Sequence, residues 1–270
     1  MRVILLLLAC WLAAPIARAQ IIDTHVHVWH LDRPDGIYWI KKDNETLYRS
    51  YMPADHEPMA KAAGITGVVV VQAGQHLPDN QWNLDVTAHN KDFYRGVVGN
   101  LSTVIGTDEF KPLFDKLCED ERYVGYRLSG RADGRPMDEA FFRDLKLTAE
   151  RGRTVDFLIG GYSLEDVATI AKRVPDLKII LDHFGNIVLD GDPLDPEWVK
   201  TFRAAAAHPK VHCKVSALYG RVKAQPAPRT VAPVFSTQRV VRCRQRNTFC
   251  GQQCGNTLCQ LAVFAGYQSS

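Results

Sequence analysis

The chain has 270 residues, of which 46% are hydrophobic and 23% charged, an ordinary globular composition long enough for one large domain or two small ones. The formal charge of +3 is mild. There is no basic block and no basic–aromatic interleaving, so nucleic acid is not implied as a partner.

In chain order, residues 1–19 stand apart. Arg2 precedes an apolar run from Val3 to Ala14, and Ala17-Arg18-Ala19 supplies a small-x-small site. This pattern describes a secretory signal peptide cleaved after Ala19, against the alternative of a helix of the mature fold. The apolar run is too short to span a bilayer. The mature protein is expected to be secreted or periplasmic, with no membrane span.

Next comes Ile21-Ile22-Asp23-Thr24-His25-Val26-His27-Val28-Trp29. Side chains of a strand alternate between faces, so His25 and His27 point the same way. Further strand candidates are 67–73, 95–101, 123–128, 154–159, 177–183 and 210–217, several of them continuous apolar runs typical of strands buried on both faces. Helix candidates lie between them at 54–63, 79–90, 108–120, 138–151, 163–173 and 195–207. Asp108 and Ser163 are candidate N-caps. The alternation implies a parallel sheet, and seven strands at this spacing suggest an α/β (β/α)8 TIM-like barrel, with an open doubly wound sheet as the alternative. No glycine-rich phosphate loop follows the first strand, which counts against a nucleotide-binding version.

The pattern stops near residue 225. Residues 230–270 contain no Asp, Glu or Lys but hold four Arg, six Gln and four Cys, where roughly five acidic residues would be expected by proportion. The domain boundaries are therefore 1–19 signal peptide, 20–228 barrel and 229–270 anomalous tail. The barrel is expected to be incomplete, its eighth strand lost or replaced; Val231–Phe235 or Leu258–Phe264 would serve as a poor substitute. A reading-frame change near residue 229 would explain the break, and a divergent, disulfide-linked tail is the alternative. Gln260-Leu261-Ala262 can be encoded by a string that reads Ser-Trp-Pro when shifted one base. Cys243, Cys250, Cys254 and Cys259 lack the CxxC spacing of a structural zinc site.

Catalytic groups of a barrel come from the C-terminal ends of its strands. His25 and His27 stand on the first strand, and His183 ends the sixth before a glycine turn. Three converging histidines suit zinc with an open position for water; for His183 the alternative is a hydrogen-bonded strand cap. Arg127, a charge in a buried strand, would face the mouth and receive a carboxylate or hydroxyl-rich ligand, or else form an internal ion pair. Gln72 and His76 are candidate pocket groups, although a surface role suits His76 equally. Asp156 and Lys214 are weaker inward-facing candidates. The loop 30–53, with Trp39, Tyr48 and Tyr51, would act as a lid or pack down on itself.

Asp23-Thr24-His25-Val26-His27-Val28-Trp29, Val70-Val71-Gln72-Ala73, Gly125-Tyr126-Arg127, Leu181-Asp182-His183-Phe184-Gly185 and Cys213-Lys214-Val215-Ser216 fall in this order. The set resembles the amidohydrolase-superfamily branch that contains sugar lactonases such as fuconolactonase and the pyrone dicarboxylate lactonase, over residues 21 to about 225. The resemblance implies a distorted (β/α)8 barrel that hydrolyses a lactone. His25, His27 and His183 would bind one divalent ion, zinc first among the choices, or in a metal-free site polarise the lactone carbonyl directly. Arg127, Gln72, His76 and Tyr48 would contact a small-molecule substrate. An aspartate after strand eight would activate water, but no acid stands after residue 229. The superfamily's bridging strand-four lysine is replaced by Arg127, which favours a mononuclear or metal-free site. Two other readings remain: a catalytically defective or ligand-binding barrel, and a related decarboxylase using the same histidines. The sequence does not specify the oligomeric state.

Overall fold

The computed structural model describes residues 21–33, 36–130, 134, 136–187, 193–216 and 261–262. The signal-peptide expectation, the loop at 225–228, the strand candidate at 231–235 and the tail cysteines lie outside the described residues.

Seven parallel strands follow in sequence order: β1 Ile22–Val26, β2 Gly67–Val71, β3 Tyr94–Asn100, β4 Tyr123–Leu128, β5 Thr154–Phe157, β6 Lys178–Leu181 and β7 Val211–Val215. Each pairs in parallel with the next, which needs a crossover connection between every two strands. Six helices connect them: α1 Pro53–Ala62, α2 Pro78–Val86, α3 Phe110–Leu117, α4 Glu139–Glu150, α5 Leu164–Arg173 and α6 Pro196–Ala206. An eighth, two-residue strand, β8 Leu261–Ala262, runs antiparallel to β7 through Lys214↔Ala262 and Val215↔Leu261, and lies beside β1. The fold is thus an incomplete barrel. Its closing strand falls inside the expected Leu258–Phe264 segment but is short and runs against the others.

The strands are apolar on both faces because helices cover one side and the barrel interior the other. Val68, Val70, Val97, Val155 and Ile179 are fully buried. Phe110 and Phe114 of α3 stack on each other and meet the ring of Tyr126 on β4 edge-on. Ser163 caps α5 as expected: its hydroxyl accepts from Asp166 N, and the Asp166 carboxylate accepts from Ser163 N. Asp108 does not cap α3. That helix starts at Phe110, and the hydroxyl of Thr107 accepts from Glu109 N instead.

Two features shape the mouth. The 30–53 loop packs down: Trp29 and Tyr51 exchange backbone hydrogen bonds of 2.8 Å, and their rings join Ile37, Ile40 and Ala73 in a small apolar cluster. After β6, the chain makes a tight left-handed turn in which His183, Phe184, Gly185 and Asn186 all have φ between 51° and 60°. Three of these residues are not glycine, and each carries a steric cost of about 1 kcal/mol or more. The turn is held by Phe184, which is completely buried and stacks on Phe202 of α6.

Candidate active site at the barrel mouth

One buried polar residue stands at the C-terminal end of each parallel strand: His25 (β1), Gln72 (just past β2), Asn100 (β3), Arg127 (β4), Asp156 (β5), Asp182 (just past β6) and Lys214 (β7). The register places Asn100, Arg127 and Asp156 side by side on neighbouring strands. Burying seven polar groups in one layer is costly unless they satisfy one another or a ligand.

The histidines converge. His25 and His27 point their Nε2 atoms at each other, 3.3 Å apart. The rings of His25 and His183 lie 4.7 Å apart between centroids. His27 donates from Nδ1 to the Val71 carbonyl at 2.7 Å, which leaves its Nε2 as a lone-pair acceptor. His183 is anchored through Nδ1 to the Ser216 hydroxyl at 2.7 Å. Burial, reinforced by the Lys214 ammonium, drives the His25 pKa well below its ordinary value of 6.5. Burial and then Arg127 push His27 down to about 3. Both rings are neutral at pH 7.

Behind them runs a buried ionic chain. The Lys214 ammonium lies 2.5 Å from Asp156 Oδ2 and 3.0 Å from Asp182 Oδ1. Asp182 Oδ1 in turn lies 3.4 Å from His25 Nδ1. This last contact is electrostatic, since neither atom has a hydrogen-bond partner among the described residues. Burial acts to raise Asp182, but Lys214 and His25 outweigh it and hold the carboxyl well below the usual range. Burial alone would lower Lys214, but the two carboxylates outweigh it and raise its pKa. One ammonium cannot offset two buried carboxylates fully, and burial pushes Asp156 up to about 6.

Arg127 donates from Nη2 to the Gln72 carbonyl at 2.8 Å, while its buried Nε has no hydrogen-bond partner among the described residues. Gln72 donates to the carbonyls of Gly74 and His76, and its buried Oε1 is likewise unpartnered there. His76 contributes that carbonyl, whereas its residue is exposed. Tyr48 is also exposed, on the 30–53 loop. Trp39 approaches the chemistry from that loop. Its indole N–H donates to the Ala73 carbonyl at 2.9 Å, and its ring lies 5.9 Å from that of His27.

Two nitrogens on one tetrahedral zinc, each about 2.0–2.1 Å from the ion, sit about 3.3 Å apart. The neutral, facing Nε2 atoms of His25 and His27 fit that requirement. A third ligand is not in place, because no cluster of three His, Cys, Asp or Glu among the described residues has metal-binding geometry.

The sequence pointed to His25, His27, His183, Arg127 and Gln72, and the structure sets them around one mouth. It gave Asp182 and Ser216 no role, and passed over Asn100. A single polar residue ending each apolar strand is the signal that would have found Asn100 and Asp182. Two surface grooves, one flanked by Lys116 and Arg122 and the other by Lys178 and Lys210, lie at the N-terminal ends of the strands, away from this layer.

A family model described as amidohydrolase matches residues 22–246. L-fucono-1,5-lactonase of Burkholderia ambifaria is 27% identical over 230 residues, covering 82% of this chain and 78% of that protein. Among solved structures, an amidohydrolase from Burkholderia multivorans with bound zinc has a TM-score of 0.64 at 21% identity, covering 81% of this chain and 78% of that one. A probable 2-pyrone-4,6-dicarboxylic acid hydrolase from Acinetobacter baumannii, with citric acid bound, has a TM-score of 0.58 at 16% identity, covering 81% and 77%.

Proposed function

Given that the chain belongs to the amidohydrolase family, we propose that it is a hydrolase that opens a lactone, a sugar lactone or similar ring, by attack of water at the mouth of the barrel. The observation that carries this reading is the pair of neutral imidazoles, His25 and His27, whose Nε2 atoms meet 3.3 Å apart at the end of β1. The lactonase of B. ambifaria supplies the substrate class.

While its Nδ1 donates to Val71, the His27 Nε2 accepts rather than donates. It therefore receives a cation or a hydrogen bond from water and does not polarise a carbonyl itself. Arg127, whose Nε has no partner among the described residues, is the donor for the ring carbonyl or a ring hydroxyl. His25 and His27 would hold one divalent ion, zinc first, with His183, whose ring lies 4.7 Å from that of His25, as the candidate for the third position once it moves into place; the B. multivorans amidohydrolase is a structure with bound zinc. Such an ion supplies Lewis-acid polarisation of the carbonyl. Without an ion, the His27 Nε2 accepts a hydrogen bond from the attacking water and orients it; the water's oxygen bonds to the carbonyl carbon, and its proton passes to the ring oxygen as the bond to that oxygen breaks. Trp39 walls the mouth beside His27 and limits access of bulk water.

A second reading, a barrel that binds a ligand without turning it over, is favoured by one fact: residues 230–270 contain no Asp or Glu, so the strand-eight base implied by the resemblance is not in that segment. One assay separates the two. Purified protein, with and without added zinc, should hydrolyse L-fucono-1,5-lactone above the spontaneous rate. His25→Ala and His183→Ala should each lower kcat/KM by about 100-fold or more. Saturable binding of the lactone with no turnover under either condition would favour the ligand-binding barrel.

A further inference from the structure

We infer that Lys214 and Asp156 are positioning residues: together they fix Asp182 against Nδ1 of His25, and this holds His25 in the tautomer that presents a bare Nε2 to His27. The inference rests on the proposed site, because it concerns how one of its imidazoles is prepared.

Asp182 is the hub of the buried ionic chain. Its side chain is fully buried, neither oxygen has a hydrogen-bond partner among the described residues, and its neighbours there are the Lys214 ammonium at 3.0 Å and His25 Nδ1 at 3.4 Å. A carboxylate survives in such a place only if a cation is held beside it. Lys214 is that cation, and it sits on a different strand from Asp182. A lysine stem has four rotatable bonds and does not fix a position alone. The second carboxylate, Asp156 on β5, grips the same ammonium at 2.5 Å and pins it between β5 and the end of β6.

The charge next to His25 then selects the tautomer. With the proton on Nδ1, a donor faces the carboxylate. With the proton on Nε2, His25 would donate to the His27 Nε2 at 3.3 Å, but its Nδ1 lone pair would face the buried negative charge of Asp182 at 3.4 Å, and the charge outweighs one long neutral hydrogen bond. The first arrangement leaves Nε2 of His25 bare, as hydrogen bonding to Val71 leaves Nε2 of His27 bare. Two lone pairs then face one point, which suits a shared cation or a shared water. A carboxylate behind a histidine commonly sets the ring's tautomer and basicity in this way. In this chain the carboxylate is itself held by a lysine and a second acid.

The test reads the tautomer directly. Protein labelled with 15N-histidine is examined by long-range 1H–15N correlation near neutral pH, and the His25 signals are assigned by their loss in His25→Gln. Wild type should show His25 with Nδ1 protonated and Nε2 bare. In Lys214→Met, and in the milder Lys214→Gln should the first variant fail to fold by far-UV circular dichroism, the His25 signals should shift to the other tautomer or to an exchange average. Lys214→Arg, which keeps the charge, should restore the wild-type pattern. An unchanged Nδ1–H form in a folded Lys214→Gln protein would overturn the inference. Lactone hydrolysis adds a second readout: kcat should fall about 10- to 100-fold in Lys214→Gln, KM should change less than about twofold, and Lys214→Arg should recover most of the loss. If wild type hydrolyses no lactone, the functional proposal fails while the tautomer measurement still decides this one.

Discussion

At the scale of single residues, the molecule gathers ionisable groups in one largely buried layer and sets their charge by burial and by their neighbours. His27 is the clearest case. Its folded pKa of about 3, against an ordinary 6.5, means that between these pH values the unfolded chain binds a proton that the fold refuses. The unfolded state therefore gains on acidification, and this contribution to stability, complete above 6.5, is lost as pH falls toward 3. His25 acts in the same direction. Asp156 acts oppositely between 3.8 and about 6, where the fold binds the extra proton. We expect the Tm of wild type to drop between pH 7.5 and 5 more steeply than that of His27→Gln, with Asp156 common to both; parallel curves would count against a buried neutral His27. Arg127 makes a second residue-scale prediction. Its planar fork already spends Nη2 on the Gln72 carbonyl, so Arg127→Lys should not substitute for it. Steady-state kinetics on a lactone should show kcat/KM down by about 10-fold or more in Arg127→Lys, and wild-type values there would remove Arg127 from the substrate's partners.

At the scale of elements, periodicity located every described helix and parallel strand to within a few residues, because continuous valine runs and 3,4-spaced apolar stripes have few alternative burials. The ends were less legible. Asp108 and Ser163 look alike in sequence, yet only Ser163 caps a helix, because the turn before α3 is organised by Thr107. Urea denaturation should therefore show Ser163→Ala destabilised by about 1 kcal/mol and Asp108→Ala changed by less than about 0.5 kcal/mol; equal losses would contradict these assignments. The turn after β6 was not legible at all beyond its glycine. Nothing in Asp182-His183-Phe184-Gly185-Asn186 announces a run of left-handed residues, because tertiary packing, with Phe184 locked against Phe202, overrides the local steric preference. The same limit explains the overlooked Asp182. Its partners, His25 and Lys214, lie on strands far away in sequence, so only the curled sheet brings them to it.

At the scale of the whole molecule, the barrel was readable through β7 and its closure was not. Residues 230–270 offer neither the alternation of a strand nor the acid expected from the resemblance, and β8 forms by pairing just two residues with Lys214 and Val215. A chain shortened to residues 1–229 should leave the outer edge of β7 unpaired and prone to edge-to-edge association. Size-exclusion chromatography should show more high-molecular-weight material for that form than for the full chain, whereas matching profiles would mean that β8 contributes nothing to closure. The position of β8 also sets an order of construction. At ribosomal rates of about 5–20 residues per second, β8 leaves the ribosome several seconds after β7. Throughout that interval Lys214 sits on a strand with a bare edge, so the nascent protein has its histidine strand, its arginine strand and the left-handed turn before it has the last partner of the lysine strand. Chaperone occupancy on the ribosome should peak in that window.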